Sequence, residues 1–230
     1  MTKKNFNFRQ KENKMTLTIA EQKDAPVIQK RTRKIPDYLI YEVMDGKPIY
    51  YSGYKNVLSG KLKLEDIMGS SRIQSFFISL IVEHLLPLIK DKYKMFYSEM
   101  GVHASLGNNL SVDIAIYDKQ ALTQDWLFKD KYADKPPMIA IEVDSKASLQ
   151  NSEEAQVYFS KKIQKYLDFG VEQVVWVFTK SRKVWVAKND GTPWLIQNWQ
   201  DTITILGHSF SIEQLIKDYG FDPSLLKINQ

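Results

Sequence analysis

Two segments near the middle of the chain alternate apolar residues with small or charged ones, and this period of two predicts β-strands. In residues 110–117 one face carries Leu110, Val112, Ile114 and Ile116, and the other carries Ser111, Asp113, Ala115 and Tyr117. In residues 138–144 the faces carry Ile139, Ile141 and Val143, and Met138, Ala140, Glu142 and Asp144. Each predicted strand therefore has a carboxylate two residues from an alanine, and the small side chain leaves room above the sheet for a metal ion.

Residues 152–168 instead have the 3.6-residue periodicity of an amphipathic helix. The stripe expected to face the sheet contains Ala155, Tyr158, Phe159 and Tyr166, and Lys162 lies in the middle of it. Such a lysine either extends its ammonium to solvent or meets a carboxylate, because burying an unpaired charge costs on the order of several kcal/mol. Since two carboxylates precede it on neighbouring strands, we favour a paired Lys162.

The remaining patterns complete an α/β fold, with a mixed central sheet and two helices packed on it. They predict a hairpin at 38–51, a helix at 72–86 ended by Pro87, strands at 94–100, 174–178 and 183–187, a long loop at 118–137 and a short helix at 211–219. We expect the strands that contain Glu142 and Val174 to be parallel neighbours joined by a right-handed crossover.

Composition excludes several kinds of site. The chain has no cysteine, which rules out disulfides, thiolate zinc sites and cysteine nucleophiles, and its three histidines are too scattered for a histidine zinc site. We expect a cytoplasmic protein without a membrane span, because no apolar run reaches the length of a span and no secretory signal is recognisable.

The net charge of +5 is concentrated at the N-terminus. Residues 1–36 contain ten Lys or Arg and three acids, which leaves the rest of the chain at −2. Low periodicity predicts a flexible basic arm over 1–36, followed by a single domain over 37–230. Such an arm can contact phosphates, although solvated disorder alone also explains it. Met15 is an alternative start to Met1.

The two strand carboxylates and the helix lysine form a chemically consistent set. Asp113 and Glu142 can bind Mg²⁺ or Mn²⁺ through hard oxygens and leave positions open for water and phosphate. Lys162 can then orient that water or stabilise charge in the transition state. Carboxylates are common on strand faces, so the spacing alone does not decide between this metal site and a solvated face.

The same residues resemble the Uma-two family of restriction endonucleases, within the PD-(D/E)XK nuclease superfamily. The similarity lies in Asp113, in 139–143 followed by Ser145, and in 162–171 with Trp176, and it covers roughly residues 36–218. It implies an α-β-β-β-α-β core of restriction-endonuclease type, with an N-terminal hairpin and C-terminal strand additions. It also implies that Asp113 and Glu142 bind metal and that the catalytic lysine lies on the helix, at Lys162.

Several positions depart from the family pattern or remain alternatives. Asp144 replaces the strand lysine and is a candidate to tune or join the metal site, and Lys146 rivals Lys162 as the catalytic lysine. Glu42 is a possible extra acid, although the local pattern favours a surface carboxylate on the hairpin. Ser70 stands near the position where family members often have histidine.

The resemblance implies a Mg²⁺-dependent endonuclease that hydrolyses DNA phosphodiester bonds, and a homodimer is one possible assembly. The alternative is a catalytically inactive module of the nuclease fold that binds nucleic acid or a protein partner.

We expect the basic arm to strengthen DNA binding without setting sequence preference. Each phosphate contact makes the slope of log affinity against log salt more negative by about 0.9 on duplex DNA. Deleting residues 1–36 should therefore make that slope less steep. Salt titrations of duplex binding by the full chain and the truncated chain measure the change. Identical slopes would exclude the arm as a phosphate contact.

Overall fold

Three sheets and six α-helices are present in residues 34–226, the part of the chain that this computed structural model describes. The arm predicted over 1–36 lies outside the described residues except for its last three. The strands are β1 (Ile40–Met44), β2 (Lys47–Tyr50), β3 (Tyr93–Phe96), β4 (Met100–Ser105), β5 (Asn108–Val112), β6 (Ile114–Asp118), β7 (Ile139–Val143), β8 (Gln173–Phe178), β9 (Lys183–Lys188), β10 (Leu195–Asn198), β11 (Ile203–Ile205) and β12 (His208–Phe210). The α-helices are α1 (Tyr54–Leu58), α2 (Glu65–Met68), α3 (Arg72–Ile89), α4 (Gln124–Leu127), α5 (Ser152–Phe169) and α6 (Ile212–Asp218).

The central sheet has six strands in the order β10-β9-β8-β7-β6-β3. The pair β7–β8 is parallel, as predicted, with α5 in the connection between them, and the other pairs are antiparallel. All five residues of β7 are buried, because both faces of this strand are covered by other elements.

A second sheet has the order β2-β1-β5-β4 and contains the predicted hairpin. The hairpin turns at Asp45 and Gly46, both with positive φ, which matches the turn type that Asp-Gly favours. An isolated bridge between Tyr51 and Ala147 connects the end of the hairpin to the segment that follows β7.

The prediction of one continuous strand over 110–117 was wrong. The segment divides at Asp113 into β5 and β6, which belong to different sheets. Leu110 and Val112 consequently pack in the same cluster as Ala115, and not with Ile114. The carboxylate of Asp113 accepts a hydrogen bond from the backbone nitrogen of Val143 at 2.7 Å, and this side-chain bond links the chain to β7 at the point of division.

The predicted strand at 94–100 is likewise two strands in two sheets. β3 pairs with β6 in the central sheet, and β4 pairs with β5 in the second sheet. Glu99, immediately before β4, has φ +55°, an uncommon conformation that accompanies the change of direction.

The two long helices follow their predicted starts. The side chain of Ser71 accepts a hydrogen bond from the nitrogen of Gln74 and caps α3, and Asn151 caps α5 in the same manner. The predicted end of α3 before Pro87 was wrong, because proline in the last turn removes one N–H donor without preventing the helix from reaching Ile89.

The central sheet separates two hydrophobic clusters. The first cluster packs α3 and α6 against Ile139, Ile141 and Val143 of β7. The second cluster packs α5 and the second sheet against the opposite face, which carries Ala140. The predicted α/β arrangement of a mixed sheet flanked by helices is therefore confirmed, and Glu142 lies on the face that α5 covers.

Among the described residues, α3 alone has the length and hydropathy of a possible membrane span. Its buried residues include Phe77, Ile81 and Leu85, which belong to the first hydrophobic cluster. A core helix of this composition passes the same test, so the finding is weak support for a span.

Gly170 ends α5 with φ +110°, and a methyl group at this position would lie 3.2 Å from Pro136. We expect Gly170→Ala to lower the free energy of unfolding by more than about 1 kcal/mol, because the left-handed backbone alone costs that much for alanine. Urea unfolding measures the change. Gly191→Ala is the matched control, since Gly191 has φ +79° and open space around it. Equal losses in the two variants would contradict the Pro136 contact.

Candidate active site

A buried cluster of charged side chains lies between the central sheet, the second sheet and α5. Glu42 comes from β1, Asp113 from the junction of β5 and β6, Glu142 from β7 and Lys162 from α5. Their exposed fractions are 2%, 4%, 2% and 0%. The helix-face prediction that Lys162 is buried is confirmed.

The ammonium of Lys162 uses all three of its N–H donors within the protein. Its Nζ lies 2.6 Å from Glu42 Oε1 and 3.1 Å from Glu142 Oε1, and it donates to the carbonyl of Ser111 at 2.8 Å. The rings of Tyr41, Tyr166 and Trp176 lie 5.4–5.8 Å from the same nitrogen, within the range of cation–π attraction.

These neighbours fix the protonation state of Lys162. Burial by itself lowers the pKa of an ammonium, but the Glu142 and Glu42 carboxylates outweigh it and hold the pKa of Lys162 well above its usual value. These carboxylates therefore favour the charged form of Lys162, in which it does not act as a general base.

Burial disfavours the ionised form of both metal-ligand candidates, Asp113 and Glu142. Burial raises the pKa of Glu142 to about 8, against the lowering effect of Lys162 and with a further rise from the charge of Asp113. Burial also raises the pKa of Asp113, although hydrogen bonds from Val143 and Gln74 oppose the shift. Two like-charged groups in one dry region favour any ligand that carries positive charge.

Sequence reasoning missed Gln74. This residue lies on α3, is 4% exposed, and aims its side-chain nitrogen at the carboxylate cluster. Its Nε2 lies 3.4 Å from each oxygen of Asp113 and 3.0 Å from the carbonyl oxygen of Val143. The available signal was a glutamine one turn before Phe77 on an otherwise apolar stripe.

The interpretation of Glu42 as a surface carboxylate was wrong. The burial of β1 alternates so that Glu42 and Met44 point inward, and Glu42 reaches the cluster. Its Oε1 accepts a hydrogen bond from the nitrogen of Ser111 at 2.9 Å, and its Oε2 accepts one from the hydroxyl of Tyr158 at 2.7 Å. Protein donors therefore hold both carboxylate oxygens of Glu42 in place.

The other two candidates are bonded elsewhere. The carboxylate of Asp144 accepts hydrogen bonds from the nitrogen and hydroxyl of Thr179, at 2.8 and 2.5 Å. The ammonium of Lys146 donates to the carbonyl of Met68 at 3.1 Å and forms an ion pair with Glu99. The structure therefore places neither side chain in the contacts that join Glu42, Glu142 and Lys162.

The donor set fits a divalent cation held with open positions. In residues 34–226 there is no group of three or more His, Asp or Glu arranged to hold a metal through side chains alone. Mg²⁺, however, is commonly bound by one or two carboxylates together with water and substrate phosphate. The hydrogen bonds to Glu142 within the described residues all reach Oε1, so Oε2 remains available.

Charge gives a second reason for the fit. When the three buried acids are ionised, they face one buried ammonium, and the cluster has a net charge of −2. One divalent cation would neutralise it, which in a region of low dielectric constant is a strong driving force.

Comparison with known proteins places this cluster in a nuclease fold. A family model, Uma2, described as "Putative restriction endonuclease", matches residues 68–217. Among solved structures, the chain is similar to one titled "putative nuclease belonging to DUF820" from Anabaena variabilis ATCC 29413, with 15% identity and a TM-score of 0.55. The match covers 76% of this chain and 89% of that chain, and at this identity it shows the fold alone. No curated protein matches the chain.

We expect the metal-free protein to lose stability as pH rises because of Glu142. Its pKa is about 8 in the fold against 4.5 for the ordinary carboxyl, so the folded state binds the proton more tightly between these values. This contribution is fully present below about pH 4.5 and is lost towards about pH 8. Glu142→Gln stays neutral, and its free energy of unfolding at about pH 8 should exceed that of wild type by on the order of 1 kcal/mol or more.

Urea unfolding in EDTA across this pH range measures the difference. Glu213→Gln is the control, because it makes the same chemical change on the surface of α6 in a pair with Lys217. A wild-type profile as flat as that of Glu142→Gln would contradict the raised pKa.

Proposed function

The chain belongs to the Uma2 family, described as "Putative restriction endonuclease", and from that membership we propose that it is a Mg²⁺-dependent endonuclease that hydrolyses DNA phosphodiester bonds. The observation that carries the proposal is the position of Lys162, a buried cation held between Glu42 and Glu142. A structural core of this size has no need for such a cluster, because hydrophobic side chains of similar volume are generally as stable.

In this proposal Asp113 and Glu142 hold the cation, and the carbonyl of Val143, which accepts a hydrogen bond from Gln74, is a further candidate ligand. When bound, the ion lowers the pKa of a coordinated water and neutralises negative charge on the phosphate. Gln74 contributes orientation, because its single nitrogen contacts both oxygens of Asp113 and the Val143 carbonyl.

Lys162 acts as a fixed charge and not as a base. All three of its N–H bonds are taken, so it reaches a phosphate oxygen only by exchanging one of its present partners. Glu142 Oε1, at 3.1 Å, is the longest of the three contacts and the one most readily exchanged. Positive charge held in a dry site stabilises a developing oxyanion more than the same charge in water.

Glu42 keeps the lysine in place during this exchange. It is 2.6 Å from Lys162 Nζ, and it is itself held by Ser111 and Tyr158. Glu42 is a positioning residue in this scheme, since its two oxygens are occupied by protein donors.

The alternative function is an inactive nuclease-fold module that binds nucleic acid or a protein. The observation in its favour is that the cluster is shielded from solvent. No side chain of the cluster is more than 4% exposed, so a substrate reaches it only after local opening of the structure. Titration with Mn²⁺ or Mg²⁺ separates the two functions. Affinity that disappears in Asp113→Ala supports the enzyme, and absence of affinity in wild type supports the inactive module.

We expect Asp113→Asn and Glu142→Gln to abolish metal-dependent cleavage of DNA while the fold is retained, because each removes a charge that the cation needs and nearly preserves volume. We expect Lys162→Met to bind metal but to cleave on the order of 10²-fold more slowly, a decrease typical of removing one transition-state interaction. Cleavage of a labelled duplex and calorimetric metal titration measure the two quantities separately.

Lys146→Met is the matched control, since it removes a second largely buried lysine whose contacts are with Met68 and Glu99. Its cleavage rate should stay within a few-fold of wild type. If Lys162→Met cleaves at the wild-type rate while Lys146→Met is inactive, the catalytic role belongs to Lys146.

A further inference from the structure

A cleft between the hairpin and α5 adjoins the charged cluster. It has a volume of about 400 Å³ and is formed by β2, α1, residues 148–150 and part of α5. This volume lies within the range of roughly 300–1,000 Å³ that is usual for small-molecule and cofactor sites. Its walls are tied together by a hydrogen bond from the nitrogen of Ser148 to the carbonyl of Tyr50 at 2.7 Å.

The rim of this cleft has more basic than acidic side chains. Lys47, Lys55 and Lys161 line it, and all three side chains are exposed. Two acids also line it, but Asp45 is paired with Lys165 at 2.5 Å and Glu154 accepts a hydrogen bond from the nitrogen of Gln150 at 2.6 Å.

The Asp45 carboxyl lies close enough to Lys47 and Lys161 to feel their charges. A hydrogen bond from Lys165, together with the charges of Lys161 and Lys47, lowers the pKa of this carboxyl. Within the described residues no ion pair involves Lys47, Lys55 or Lys161. The lysines are consequently available to an external anion.

One wall of the cleft is aromatic. The rings of Tyr50 and Tyr54 are stacked, with centroids 4.9 Å apart and planes inclined by 28°. Both tyrosines line the cleft and are partly exposed, so a flat heterocycle can extend the stack from the cleft side. Lysine charge next to an open aromatic stack is the combination with which proteins hold single-stranded nucleic acid.

The cleft is connected to the charged cluster by direct contacts. Tyr158 forms part of its lining, and the Tyr158 hydroxyl donates to Glu42 Oε2 at 2.7 Å. The other oxygen of Glu42 holds Lys162 at 2.6 Å. On α5, Lys161 faces the cleft and the adjacent Lys162 faces the cluster.

We propose that this cleft binds an unpaired nucleotide of the DNA strand, with its base on the Tyr50–Tyr54 stack and its phosphate among Lys47, Lys55 and Lys161. The inference rests on the proposed function, and it specifies the substrate as DNA that contains a single-stranded segment. An unpaired base is required, because the faces of bases inside a duplex are already covered by their neighbours.

Binding of a labelled 12-nucleotide single strand by the full chain in EDTA tests the cleft without cleavage. The double variant Tyr50→Ala, Tyr54→Ala should bind the strand about tenfold or more weakly, as expected when base stacking is removed. Tyr50→Phe, Tyr54→Phe keeps both rings and should bind like wild type. Thermal unfolding of each variant verifies that it is folded.

The lysines are tested through the salt dependence of the same binding. Lys47→Gln combined with Lys161→Gln should flatten the slope of log affinity against log salt by about 0.7 for each phosphate that is no longer neutralised by a lysine. These side chains are exposed, so the variant is not at risk of misfolding. Lys188→Gln, which removes an exposed lysine of β9 outside the cleft, should leave the slope unchanged.

Two results would overturn the assignment. One is unchanged affinity and slope in the Lys47, Lys161 variant, and the other is equal weakening by the alanine and phenylalanine pairs. The proposed function fails separately: a wild type that binds the strand through the cleft but never cleaves DNA retains this inference and loses the endonuclease.

Discussion

The structure depends on one buried ion cluster, in which the ammonium of Lys162 contacts Glu42, Glu142 and the Ser111 carbonyl. An ammonium with no exposed surface has lost its hydration, and that cost is on the order of several kcal/mol unless every donor is satisfied. Here three oxygens and three aromatic rings satisfy it. The contacts come from β1, β5, β7 and α5, so the position of four elements is fixed by the need to surround one charge.

The same need explains why the chain divides at Asp113. A continuous strand would keep Ser111 and Asp113 on one face of one sheet. The observed division sends the Ser111 carbonyl to Lys162 and the Asp113 carboxylate to the nitrogen of Val143. When all three acids are ionised, the result is an excess of buried negative charge beside one cation, and this imbalance supports the proposal of a divalent ion.

Sequence pattern predicted the parts of this arrangement that are local. The period of α5 placed Lys162 on the buried stripe, and the period of β7 placed Glu142 on the face opposite Ile141. The pattern did not predict the division at Asp113, because apolar and polar residues alternate without interruption from β5 into β6. The two strands are recognised as separate only because they belong to different sheets. The pattern also failed for Gln74 and Glu42. The partner of Gln74 is Asp113, 39 positions away, and the partner of Glu42 is Lys162, 120 positions away. Local periodicity carries no information about partners so distant in sequence.

The hairpin shows why these long-range partners matter for function. The family match begins at residue 68, so it excludes the hairpin that supplies Glu42. Alternation along β1 sends Glu42 and Met44 inward, and the adjoining turn and β2 supply Asp45, Lys47 and Tyr50 to the cleft. The hairpin thus holds the buried lysine through Glu42 and also supplies part of the cleft lining. A nucleotide bound in that cleft would lie against the element that holds Lys162, because Tyr158 of the cleft lining donates to Glu42 and Glu42 contacts the lysine.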